Sequence, residues 1–183
     1  MKASTSLADQ PIVLVGLMGA GKSSIGRRLA ARLDIAFTDA DAEIEAAAGC
    51  SIADFFERHG ETAFREGERR VIARLLDHGP TVLATGGGAF IDPDTREMLG
   101  DKAVTVWIRA ELDILVKRCA RRDTRPLLRA GNPRKILAGL MEERYPIYEQ
   151  ADITVETDNG PHSKTVDKII AALADRASDR TPS

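Results

Sequence analysis

The chain has little cysteine, little histidine, no excess charge of one sign and no long apolar run, and each shortage removes a class of protein. Its two cysteines, Cys50 and Cys119, form no C-x-x-C, and its three histidines, His59, His78 and His162, show no metal-ligand spacing beside them. Two reduced thiols and no structural metal are the reading. The 26 basic and 28 acidic side chains leave a formal charge of −2, so there is no basic field of the kind that gathers nucleic acid, and any anion must be held locally. The one basic cluster, the arginines of residues 121–129, has no aromatic side chains beside it for base stacking. No apolar stretch is long enough to span a bilayer. Residues 1–10 are polar and lack both the apolar core of a secretion signal and the arginine-rich pattern of a transit peptide. A cytoplasmic protein with no membrane partner is expected.

What is present fits one globular domain. With 183 residues, 43% of them apolar and 30% charged, the chain can bury a substantial core. A single domain is expected over residues 11–176, between a flexible extension at 1–10 and a flexible tail at 177–183. Short apolar runs alternate with helical patterns throughout, which predicts an α/β fold: a parallel sheet covered by helices on both faces. Strands are expected at 12–15, 35–38, 81–84, 104–108 and 153–155. The first and fourth are β-branched and nearly continuous, as doubly buried strands should be. Helices are expected at 24–33, 61–76, 112–121 and 134–145, and a last one, opened by Pro161, carries Val166, Ile169, Ile170 and Leu173 on one face. Residues 121–133 hold four arginines, two prolines and a Gly-Asn pair, and read as a mobile loop.

Directly after the first strand stands Gly16-Leu17-Met18-Gly19-Ala20-Gly21-Lys22-Ser23, which meets G-x-x-x-x-G-K-[ST] at every fixed position and leads into a helix. Glycines let such a loop wrap phosphates closely and turn successive backbone N–H groups on them, and the helix start adds its positive end. The lysine, here Lys22, reaches the β- and γ-phosphates, and the hydroxyl, here Ser23, goes to Mg²⁺. The plain alternative is a glycine-rich turn that binds nothing. Dinucleotide spacing is not met. There is no N-K-x-D segment for guanine, and the chain is too short for the added domains of motor or transporter ATPases. A small ATP-dependent kinase is what remains.

The acceptor side is read from scattered residues. Asp39 and Asp41 follow the second strand, at the edge where open α/β sheets bind ligands. Phosphoryl transfer to an alcohol calls for a carboxylate that orients or deprotonates the hydroxyl and another that helps fix Mg²⁺ or the remaining hydroxyls; the structural alternative is a cap on a helix starting near Ala42. In Phe64-Arg65-Glu66-Gly67-Glu68, Glu68 lies about one helical turn beyond Arg65 and is placed to hold its guanidinium for two-pronged capture of a carboxylate. The alternative there is a solvated surface pair. Thr85-Gly86-Gly87-Gly88 closes the third strand and lets a ligand come against the backbone. Arg125, in Thr124-Arg125-Pro126-Leu127-Leu128, is the candidate to neutralise charge on the transferred group from a closing loop, whereas Arg121, Arg122 and Arg129 read as solvated charge. Arg144 belongs to Glu143-Arg144-Tyr145-Pro146-Ile147-Tyr148, which closes the helix that follows.

Taken together, Asp-x-Asp after the second strand, Phe-Arg-x-x-Glu, Gly-Gly-Gly and Arg-Pro-Leu-Leu resemble the shikimate kinase family, from about residue 11 to about residue 174. The resemblance implies a three-layer, nucleoside-monophosphate-kinase-like fold with a five-stranded parallel sheet and a mobile lid. It implies transfer of the ATP γ-phosphate to the 3-hydroxyl of shikimate, on the route to chorismate and the aromatic amino acids. Gly19, Ala20, Gly21, Lys22, Ser23 and Ser24 would hold ATP, with Arg118 and Pro161 flanking the adenine. Ser23 and Asp39 would serve Mg²⁺, with Asp39 also beside the reacting hydroxyl. Asp41 would bind shikimate hydroxyls, Arg65 and Arg144 would clamp its carboxylate, and Gly86, Gly87 and Gly88 would line the pocket. Arg125 would be the lid arginine, completing a catalytic set with Lys22 and Asp39. Two readings compete. A similar kinase for another hydroxy acid, such as gluconate, is opposed by Arg65, the three glycines and Arg144. A nucleotide-binding module without catalysis is opposed by Lys22, Ser23, Asp39 and Arg125. Nothing resembles a dimer stripe, so a monomer is expected.

Overall fold

The structure, a computed structural model, describes residues 9–121 and 131–179. Strands β1 (Ile12–Val15), β2 (Ala36–Asp39), β3 (Thr81–Ala84), β4 (Val104–Arg109) and β5 (Ile153–Glu156) form one sheet in the order β2-β3-β1-β4-β5, with every pair parallel. Each residue of β1 and β3 is buried. Because successive side chains point to opposite faces, such strands must be covered on both sides. The helices α1 (Lys22–Leu33), α2 (Ala40–Ala48), α3 (Ile52–Leu76), α4 (Pro93–Lys102), α5 (Leu112–Ala120), α6 (Pro133–Tyr148) and α7 (His162–Asp179) connect and follow the strands. Ile25 and Leu29 of α1 and Val166, Ile169 and Leu173 of α7 join the sheet residues in the core. Trp107 of β4 and Tyr148 of α6 are among its largest fully buried side chains.

The differences from the expected elements have local causes. β2 lies one residue later than expected because the Ile35 N–H bonds the Ala30 carbonyl and so finishes the α1 turn. α3 spans both the expected helix at 61–76 and the preceding turns, with Gly60 at φ 81° and ψ 176° interrupting it, a conformation open essentially to glycine alone. α4, which no expectation covered, starts at Asp92-Pro93, with Asp92 accepting from the Thr95 N–H and proline in the first turn. α7 starts one residue after Pro161 and takes in residues 177–179 of the expected tail.

Candidate active site

The carboxyl ends of β1, β2 and β3 open on a cavity of about 280 Å³. β1 runs into the glycine-rich loop, and Gly21, at φ 93°, turns the chain into α1 in a left-handed conformation suited to glycine. α1 has no side-chain cap and no acidic residue in its first turn. Its first N–H groups and positive end therefore face the cavity unneutralised, the arrangement that receives a phosphate. The Lys22 ammonium donates to the carbonyls of Gly16 at 2.7 Å and Leu17 at 2.9 Å. Gly19, Gly21, Lys22, Ser23 and Ser24 all line the cavity, whereas the Ala20 side chain is buried and takes part through its carbonyl, which accepts from Arg118 at 2.9 Å.

Arg118 reaches further, donating to the Asp158 carbonyl at 2.7 Å, so its guanidinium ties the loop to the segment between β5 and α7. Burial lowers its pKa, and the charge of Asp158 works against that. Of the two residues expected beside the adenine, Arg118 lines the cavity and Pro161 does not. Pro161 is exposed just before α7, and it is the next side chain, His162, that turns inward. A Cβ on Gly21 would lie 3.1 Å from the His162 ring. Burial, then the charges of Arg118 and Arg28, push the His162 pKa down, which favours the neutral ring. Arg121, expected as solvated charge, is exposed yet also lines the cavity. Arg125 lies outside the described residues, as do Arg122 and Arg129.

Asp39 caps a helix and also faces the phosphate loop. One carboxylate oxygen caps α2, accepting from the N–H groups of Asp41 at 3.0 Å and Ala42 at 3.3 Å, and the other accepts the Ser23 hydroxyl at 2.8 Å. The cap pins the carboxylate so that its second oxygen meets the phosphate loop. The helix begins at Ala40, two residues before the expected start.

The three consecutive glycines explain how the acceptor-side residues come together. A Cβ on Gly86 would lie 2.8 Å from an Asp41 carboxylate oxygen, one on Gly87 would lie 3.4 Å from an Arg144 guanidinium nitrogen, and one on Gly88 would collide with the Arg65 guanidinium. One charged side chain thus occupies the space left at each glycine. Asp41, Gly86 and Gly87 line the phosphate-side cavity, while Arg65, Gly88 and Arg144 line an adjoining one of about 420 Å³. The acceptor-side residues therefore straddle the glycine loop.

Arg65 is no solvated surface charge. It pairs with Glu68 at 2.7 Å, and Glu68 is only 1% exposed. Burial raises the Glu68 pKa, opposed by the charge and hydrogen bond of Arg65. Arg144, from α6, has a buried Nε–H without a hydrogen-bond partner among the described residues, a donor that remains to be satisfied. Behind it, the Tyr148 hydroxyl donates to the Gly87 carbonyl. Sequence alone does not mark Tyr148 or His162 as site residues. The available signals were the four-residue spacing of Tyr148 from Arg144, which puts both on one helix face, and the position of His162 in the opening turn of a helix at the sheet's carboxyl edge.

A five-stranded parallel sheet with a phosphate loop after its first strand, and Asp41, Arg65 and Arg144 gathered on the glycines beside it, defines a small P-loop kinase. The sequence model described as shikimate kinase matches residues 18–174. A shikimate kinase of Paramagnetospirillum magneticum is 62% identical over 162 residues, covering 88% of this chain and 83% of that protein. Among solved structures, the shikimate kinase from Acinetobacter baumannii in complex with shikimate superposes with a TM-score of 0.88 at 36% identity, covering 98% of this chain and 99% of that one. The chain belongs to the shikimate kinase family. A gluconokinase from Sinorhizobium meliloti, 19% identical with a TM-score of 0.65 over 94% of this chain and 95% of its own, shares the fold.

Proposed function

We propose that the chain is a shikimate kinase, which transfers the γ-phosphate of ATP to the 3-hydroxyl of shikimate and releases ADP, in chorismate and aromatic amino-acid biosynthesis. One observation carries this reading: Asp41, Arg144 and Arg65 each approach one of three successive glycines. That pattern suits a compact ring bearing hydroxyls at one end and a carboxylate at the other, lying against bare backbone. Asp41 accepts from the hydroxyls, and Arg65 and Arg144 take the carboxylate between them. Held at both ends, the ring presents a single hydroxyl to the phosphate loop, which makes the transfer regioselective.

At the phosphate end, the N–H groups of the loop and α1 receive the nucleotide, and Lys22 turns from the Gly16 and Leu17 carbonyls onto the β- and γ-phosphates. The Ser23 hydroxyl and the Asp39 carboxylate, 2.8 Å apart, are hard oxygen donors of the kind Mg²⁺ takes alongside water and phosphate, so the residues fit that ion. Bound there with ATP, Mg²⁺ supplies charge neutralisation on the β- and γ-phosphate oxygens. Asp39 is oriented by its cap. Arg118 and His162 offer a wall for the adenine, and Arg125 is assigned to the transferred phosphoryl group. Closure by residues 51–60, bending at Gly60, keeps water from competing as acceptor; the lid expected at 121–133 falls mostly outside the described residues. We read the enzyme as a cytoplasmic monomer, one domain over residues 11–176. No helix among the described residues is long and apolar enough to cross a membrane.

The test is ADP release by purified protein with Mg-ATP and shikimate, gluconate or no acceptor, with the product identified by NMR. Stimulation by shikimate alone, with phosphate on the 3-hydroxyl, is expected. Stimulation by gluconate instead, or tight ATP binding with no stimulation by either acceptor, overturns the reading.

A further inference from the structure

We infer that Tyr148 is a positioning residue for the acceptor: its hydroxyl joins the Gly87 carbonyl to the Arg144 guanidinium, so that the glycine loop and half of the carboxylate clamp are set as one unit. The inference rests on the acceptor site proposed above. Tyr148 ends α6 with 0% exposure. Its ring is stacked on Trp107 at 5.7 Å and on Phe90 at 6.4 Å, and meets Tyr145 edge-on at 6.3 Å. Packed on these sides, the ring has no room to swing, and its hydroxyl is held in one place.

A phenolic hydroxyl has one proton to give and lone pairs to accept with. Here the proton goes to the Gly87 carbonyl, and Arg144, one helical turn earlier on the same face, brings its guanidinium to the same glycine, 3.4 Å from where a Cβ on Gly87 would lie, and so sets a positive charge beside the hydroxyl's lone pairs. The two partners make opposite demands and do not compete. Burial pushes the Tyr148 pKa up to about 12, against the pull of Arg144. The hydroxyl therefore remains a donor throughout the range in which the enzyme works. Arg144 is also the group nearest the space that a Cβ on Gly87 would fill, so one hydroxyl fixes both the loop and the cation that reaches across it. Neither partner is a nucleotide ligand in the proposed mechanism, which makes the effect specific to one substrate.

Steady-state kinetics of the wild type and Tyr148→Phe, with shikimate and ATP varied in turn, test this. Phenylalanine keeps the ring contacts and removes only the hydroxyl. A hydrogen bond to a charged group is worth about tenfold or more in an equilibrium. The KM for shikimate should therefore rise about tenfold, while kcat and the KM for ATP stay within about twofold. Added to Arg144→Lys, the same change should raise the KM for shikimate little further, since both act on one contact. An unchanged KM for shikimate with a lowered melting temperature, or equal losses for both substrates, overturns the inference and leaves Tyr148 a packing residue. Should the variant not fold, the wild type carries the test. Its two tyrosines, labelled as 3-fluorotyrosine and assigned with Tyr145→Phe, give two fluorine signals. Shikimate should shift the Tyr148 signal and ADP should not; a Tyr148 signal indifferent to shikimate overturns the inference. If the wild type itself does not use shikimate, the proposed acceptor falls and this inference with it. If the wild type does and Tyr148→Phe matches it, this inference falls alone.

Discussion

The two ends of the active site are built on different plans. The proposed phosphate end is one contiguous stretch, residues 16–23, which offers main-chain groups to a ligand. α1 starts there on a glycine with no side-chain cap, while α2, α3 and α4 are capped by Asp39, Ser51 and Asp92. The acceptor end is assembled from the start of α2, the middle of α3, the loop after β3 and the end of α6. Its charged groups lean on a supporting layer: Glu68 behind Arg65 and Tyr148 behind Arg144. A ligand common to many proteins can be held by backbone, which every sequence possesses. A ligand particular to one enzyme is held by side chains, and long side chains hold a position only when something else holds them.

If that contrast is right, the largest losses come from the phosphate end and fall on turnover. Lys22→Ala should lower kcat about a thousandfold, the scale lost with a charge that meets the transferred phosphoryl group, while calorimetric titration finds shikimate binding little changed. Asp39 separates structure from chemistry within one residue. Asp39→Asn retains an oxygen to cap α2 but loses the charge beside Ser23, so turnover should fall about a hundredfold or more with the melting temperature nearly unchanged. Asp39→Ala should lose the cap as well, at about 1 kcal/mol. Equal melting temperatures for the two variants would show that the cap carries no stability.

Arg65→Ala should shift the loss from turnover to acceptor binding, raising the KM for shikimate about a hundredfold, as removal of a charge-assisted contact requires. It should also destabilise the fold, because Glu68 is left buried without its partner, a change that costs about 3 kcal/mol when a buried pair is broken. The sign of the pH dependence follows from burial. Glu68 already has a raised pKa with Arg65 present, and losing that cation raises it further. The folded variant then binds a proton more tightly than the unfolded chain does. Its deficit is smallest below the ordinary glutamate value of 4.5 and grows as pH rises through the raised folded value. Chemical denaturation at two pH values measures this. A deficit that shrank with rising pH would mean that Glu68 is not buried as an ion.

The same contrast governs what can be read from sequence. The phosphate loop is legible because its residues are adjacent and their spacing is the geometry. The parallel sheet is legible because doubly buried strands are continuous apolar runs; β2, partly exposed at the sheet edge, is displaced by one residue. Asp41, Arg65 and Arg144 are candidates from sequence, but their convergence is not, since each meets a different glycine through tertiary packing. Glu68 is visible as a helical neighbour of Arg65, yet only burial turns a pair that resembles surface charge into a fixed support. Pro161 and His162 show the limit: sequence marks the turn, and only the backbone direction on entering α7 sets the His162 ring, and not Pro161, on the cavity beside the phosphate loop.

The smallest effect asks how far the supporting layer extends. Arg69, one turn beyond Arg65 on α3, pairs with Asp92 at 2.9 Å, and Asp92 in turn caps α4 through the Thr95 N–H at 3.1 Å and hydroxyl at 2.7 Å. Burial pushes the Asp92 pKa up, but the Thr95 hydrogen bonds and the Arg69 charge outweigh it and hold the carboxyl below its ordinary value of 3.8. A lowered folded value means stability present above the unfolded pKa and lost as pH falls through the folded one. Asp92→Ala should therefore cost about 1 kcal/mol at neutral pH, the worth of an N-cap, and the gap to wild type should close in acid. Asp92 and Arg69 line the same cavity as Arg65 and Arg144, but Asp92 caps a helix and pairs with Arg69 and with neither arginine of the proposed clamp, so the KM for shikimate should change less than about twofold. A larger rise would place Arg69 and Asp92 in the supporting layer, with the grip on the acceptor reaching through α3 to the start of α4.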